Sequence, residues 1–116
     1  MSDKKSKNEG LEKSQAFQLA DLLDYAPESI VSRIILKNEA GNITLFSFAE
    51  GQELSEHTAP YDAVVQVIDG SARLAIGGND VIVKTAEIAI MPANVPHAVY
   101  ADRKFKMMLT MIKPAR

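Results

Sequence analysis

From Ile30 to Ile112 the chain alternates short apolar runs with breaks rich in Gly, Asn and Asp. The runs are Ile30–Leu36, Asn42–Phe48, Ala63–Ile68, Ser71–Ile76, Val81–Lys84, Glu87–Met91, His97–Ala101 and Phe105–Ile112. They are shorter than an ordinary helix and rich in β-branched residues, so each predicts a strand. NEAG at 38–41 predicts a hairpin between the first two. Asp69-Gly70 and Gly77-Gly78 supply the positive φ that tight turns need. Strands at intervals of roughly ten residues predict an all-β sandwich or barrel. In Ala63–Ile68, alternation puts Ala63, Val65 and Val67 on one face and Val64, Gln66 and Ile68 on the other. Consecutive apolar residues, as in Ala63-Val64-Val65 and Met107-Met108-Leu109, predict strands covered on both sides by a second sheet or a second subunit.

Upstream the pattern changes. Residues 1–14 are polar and charged, with Leu11 the one apolar residue after Met1. They predict a loose arm ahead of a single domain spanning 15–116. Residues 15–26 carry Phe17, Leu19, Ala20, Leu22 and Leu23. They fit either a short strand leading into one helical turn or a single helix, ended by Pro27.

Composition narrows the function classes. The chain has 116 residues, 13 Lys+Arg against 15 Asp+Glu, a net charge of −2 and no Cys. That balance gives no reason to expect nucleic acid or an anionic membrane as partner. Without Cys there is no disulfide, thiolate metal site or Cys nucleophile. No apolar run approaches the 18 or so residues of a membrane span, and the N-terminus lacks the apolar stretch of a signal peptide. A cytoplasmic protein is expected. Gly77-Gly78-Asn79-Asp80 lacks the Lys-Ser/Thr of a phosphate loop. Ser55 and Asp62 have no spacing that suggests a hydrolase triad.

The candidate chemistry lies in the two histidines, His57 and His97, each beside a turn punctuated by Gly or Pro. His57 lies in GQELSEHTAPYDAVVQVIDG (51–70) and His97 in AEIAIMPANVPHAVYA (86–101). These segments resemble the two motifs of the cupin superfamily. Gly51, His57 and Gly70 match the spacing of the first motif, and Pro92, Asn94 and His97 that of the second. The resemblance covers roughly residues 30–113. It implies a double-stranded β-helix, or jelly-roll barrel, with both imidazoles pointing into one cavity. It also implies pairing into a homodimer through an outer sheet, for which the outward apolar residues Val64 and Ile68 are suited.

The departures from the motifs bear on function. Ala59 and Ala63 stand where metal-binding cupins place a second His and a Glu. Ala86 and Asn94 stand at Gly positions and Ala101 at an Asn position. A one-residue bulge could turn Glu56 or Asp62 inward as a substitute ligand. Most transition-metal sites use three or more protein ligands, so His57 and His97 alone predict at most a weakly held Ni, Zn, Fe or Mn ion. The expected function is binding of a small molecule in a pocket formed by His57, His97, Ala59, Ala63, Val65 and Met107. Either His could serve as a base or orient a carbonyl or carboxylate. Two alternatives stand beside it: a metal-dependent enzyme of dioxygenase or isomerase type with reduced ligation, and an interaction module whose barrel is filled by side chains. Tyr61 and Tyr100 are expected to pack at the rim. Met91, Met107, Met108 and Met111 are expected to fill core and interface, or to give the cavity a soft lining.

Overall fold

The structure is a computed structural model and describes residues 10–114. Nine strands form: β1 (Ile30–Asn38), β2 (Gly41–Phe48), β3 (Glu53–His57), β4 (Asp62–Asp69), β5 (Ser71–Ile76), β6 (Asn79–Lys84), β7 (Ile88–Met91), β8 (His97–Tyr100) and β9 (Phe105–Ile112). They make a five-stranded sheet, β1-β2-β9-β4-β7, and a four-stranded sheet, β3-β8-β5-β6, with antiparallel pairing throughout. This is the expected jelly-roll architecture. The 38–41 hairpin and the turns at Asp69-Gly70 and Gly77-Gly78 fall where the sequence puts them. Gly70 (φ 83°) also lies so close to Lys104 that a Cβ there would stand 2.7 Å from its carbonyl oxygen.

The core lies between the sheets. Ala63, Val65 and Val67 are buried as alternation predicts, opposite Met111, Leu109 and Met107 of β9. From the second sheet, Ala72, Leu74, Val83 and Val99 close on them. The rings of Phe48 and Phe105 stack with centroids 4.6 Å apart. Full burial of each such side chain contributes roughly 1.5–3 kcal/mol.

Residues 10–29 form a strap over the outer face of the five-stranded sheet rather than a strand or a full helix. Leu19–Asp21 is a single 3-10 turn. On β2, Leu45 and Ser47 alternate with the core residues Phe46 and Phe48, yet both are fully buried. The strap covers them. Ser47 Oγ donates to the Asp24 carbonyl (2.9 Å), Lys106 Nζ to that of Ala20 (2.6 Å) and Arg33 Nη1 to that of Leu22 (2.8 Å). Leu23 is the buried anchor of the strap. Leu11 N–H bonds to Ile35 O, so the chain is already tied to β1 ahead of residue 15. Residues 1–9 of the expected loose arm lie outside the described residues.

Candidate functional site

His57 ends β3, the one strand without an apolar run in the sequence; its residues, ELSEH, are mostly exposed. The β3–β8 ladder sets Leu54 opposite Val99 and His57 opposite His97. That is three steps along β3 against two along β8, so one extra residue is bulged out at Ser55-Glu56. A bulge shifts the side-chain phase of everything beyond it. In regular pairing His57 would share a face with neither Leu54 nor His97. The bulge turns it inward.

The bulge anticipated for Glu56 or Asp62 therefore serves His57, and both carboxylates are exposed. Asp62 Oδ1 accepts a hydrogen bond from Ala93 N–H (2.9 Å) instead.

The two imidazoles meet edge to face, with centroids 4.4 Å apart and planes at 66°. His97 is 4% exposed, whereas His57 is open to solvent. Each ring is held from its own strand. His57 Nδ1 lies 2.8 Å from Ser55 O, and His97 Nδ1 lies 3.1 Å from Val95 O. On β5, Ile76 stands opposite His97 and continues the row across the sheet. On the other sheet, Ala63 lies between Met91 and Met111 near the same end. Ala59 is half-buried, and its carbonyl takes the N–H of Asn94 (2.8 Å), which ties the loop after β3 to the loop before β8.

Of the predicted lining residues, the structure brings His57 and His97 together at this end. Ala63, Val65 and Met107 are buried in the continuous core, with Val65 and Met107 fully inaccessible. Tyr100 is half-buried beneath the Arg73 guanidinium, 4.4 Å from the ring centroid, and Tyr61 is also half-buried. Met91 and Met107 are core, and Met108 and Met111 are partly covered. Sequence reasoning did not single out Ile76 or the Ser55 and Val95 carbonyls; their roles come from pairing register and carry no residue-type signal. Two open clefts, of about 500 Å3 and about 580 Å3, lie elsewhere, against the strap, and share Tyr25 and Ala26.

The donor set does not fit a tightly held metal. Among the described residues no group of three or more His, Asp or Glu could hold an ion. Two imidazoles on neighbouring strands, with methyl groups at Ala59 and Ala63, leave half of a tetrahedral shell to water.

Comparison with known proteins agrees with this architecture. The chain is 30% identical to a conserved protein of unknown function from Streptococcus pyogenes, covering 98% of this chain and 100% of that one, with a TM-score of 0.87. A Cupin 2 conserved barrel domain protein from Leptotrichia buccalis is 41% identical over 84% of this chain, with a TM-score of 0.81; the match spans 47% of that longer protein. A cupin superfamily protein from Desulfitobacterium hafniense shares the fold at 22% identity, covering 93% of this chain and 99% of that one, with a TM-score of 0.84. No curated protein matches the chain. The Cupin domain family matches residues 44–113, which include both histidine segments and all strands from β3 to β9, and the chain belongs to that family.

Proposed function

We propose that this chain is a small-molecule-binding cupin whose ligand sits at the barrel end marked by His57 and His97. One observation carries the reading: two imidazoles forty residues apart in sequence lie ring to ring, and the burial of His97 has no counterpart in a structural ion pair or metal cluster among the described residues. Polar groups set into an apolar concave wall are the usual makeup of a ligand site. In this reading Ala59, Ala63, Met91 and Met111 would supply that wall, while Val65 and Met107, fully inaccessible in the core, would not touch the ligand. No helix of the described residues is long and apolar enough to cross a membrane, and the lack of Cys suits a reducing compartment such as the cytoplasm. The barrel pairs as a homodimer through the apolar outer face of the five-stranded sheet, where Ile88 (62%) and Ile90 (60%) stand exposed beside Val64.

Thermal shift against a panel of polyols, sugars, phenols and carboxylates tests the site, because a ligand that binds only the folded state raises the melting temperature. A ligand at 100 times its Kd should contribute about 2.7 kcal/mol. His57→Ala and His97→Ala should abolish the shift. Shifts that survive both substitutions would place the ligand elsewhere.

A further inference from the structure

We infer that the His57–His97 pair selects ligands that donate hydrogen bonds, hydroxyl-bearing molecules such as polyols or phenols, over carboxylates; this deepens the small-molecule reading and rests on it. A main-chain carbonyl oxygen only accepts. Since Nδ1 of His57 faces Ser55 O and Nδ1 of His97 faces Val95 O, each Nδ1 carries the ring proton. In the neutral rings Nε2 is then a bare lone pair on both.

The lone pair of His97 is reachable. That side chain is 4% exposed, and its Nε2 has no partner among the described residues. Yet no buried side-chain nitrogen or oxygen among them is left unpaired. Nε2 is therefore not sealed off and touches open space. His57, exposed and 4.4 Å away, presents the second acceptor.

The apolar side chains at this end add no donor to offset this. Ile76, Ala59, Ala63, Met91 and Met111 carry no polar hydrogen on their side chains. Asn79, opposite Ile76 on β6, is exposed at the rim and is the nearest amide in register. A carboxylate entering here would meet two lone pairs, and an apolar ligand would leave a desolvated acceptor unpaired. A pair of hydroxyls satisfies both.

The test has two arms on the full chain at about pH 8, where an ordinary imidazole is neutral. Long-range proton–nitrogen correlation on the free protein reads the tautomers. A pyrrole-type Nδ1 and a pyridine-type Nε2 are expected in both rings; an Nε2–H form in either overturns the inference. The second arm titrates catechol against benzoate, and inositol against succinate. Each hydroxyl probe should bind about tenfold tighter than its carboxylate match, the fold-change of one ordinary hydrogen bond, and should move both Nε2 signals. His57→Phe, at an exposed position that leaves the core intact, removes one of the two acceptors and should narrow the difference; an unchanged preference overturns the role of the pair. Equal or tighter carboxylate binding overturns the inference and leaves small-molecule binding standing. Silence from every probe overturns both. Stoichiometric, tight uptake of zinc or nickel by the same pair overturns the inference in favour of a metal centre.

Discussion

Ala86 is the one alanine at positive φ (72°) among the described residues, at a position where the second motif carries Gly. The turn around it is fixed from three sides. Ala86 N–H donates to Val67 O (2.8 Å), Glu87 N–H to Lys84 O (2.8 Å), and Glu87 O accepts from Val67 N–H (3.2 Å). β4 thus clamps the link between β6 and β7, and Ala86 cannot relax to negative φ without losing those bonds. A left-handed backbone costs a residue with a Cβ roughly 1–2 kcal/mol. Ala86→Gly removes that cost and an exposed methyl, and nothing from the core. Against this, glycine gives the unfolded chain more freedom, worth about 0.4–1 kcal/mol. The net expectation is stabilisation by about 0.5–1 kcal/mol, or a rise in Tm of about 2–5 °C for a domain of this size. Urea titration with a shared m value, alongside calorimetry at one protein concentration, measures it. A variant less stable than the parent would refute the reasoning, because it would mean that the turn tolerates its alanine without strain.

Four further outcomes follow from the same geometry. Gly70→Ala should cost about 2 kcal/mol or more in denaturant titration, since its Cβ would press on Lys104 O at a left-handed φ; an unchanged midpoint would contradict the close approach. Phe105→Ala, which deletes a fully buried ring stacked on Phe48, should cost about 3–5 kcal/mol by the same assay. Asp102 is held below the usual carboxylate range by hydrogen bonds from Arg73 and by its charge; a depressed folded-state value contributes stability above the unfolded value that is lost as pH falls through the folded one. Asp102→Asn should therefore reduce the loss of stability between about pH 5 and pH 2, and an identical acid limb would refute the pairing. Ile88→Lys with Ile90→Lys should leave unfolding midpoints measured on the monomer nearly unchanged and turn a dimer into a monomer by light scattering; a parent that is monomeric at high micromolar concentration would dispose of the interface.

Most of the barrel was readable from the chain because its strands bury one face and so carry their phase in the sequence. Ala63, Val65 and Val67 point inward for that reason. β3 escaped because ELSEH buries little: its place is set by the ladder with β8, a partner forty residues away. The same distance hid the bulge at Ser55-Glu56, since an extra residue exists only relative to the opposite strand. That the rings of His57 and His97 come together was implied by the resemblance of their segments to the two cupin motifs. Which nitrogen of each ring is free was not, because carbonyls two residues upstream decide it. The strap misleads a reading by hydrophobicity: Phe17 and Leu19 remain 42% and 39% exposed, and Leu23 alone is buried.

Part of the grip on the strap falls on main-chain oxygens. Arg33, Ser47 and Lys106 take hold of Leu22, Asp24 and Ala20 through atoms that every amino acid possesses. Those three contacts are blind to side-chain identity, whereas Tyr25 is held by its own hydroxyl, which donates to Asp69 Oδ2, and by its ring, which lies under Lys104 and Lys106. The stretch around Leu23 is thus a place where foreign sequence can be grafted onto the barrel with its docking retained, provided the hands that hold it, the leucine between them and Tyr25 are left alone.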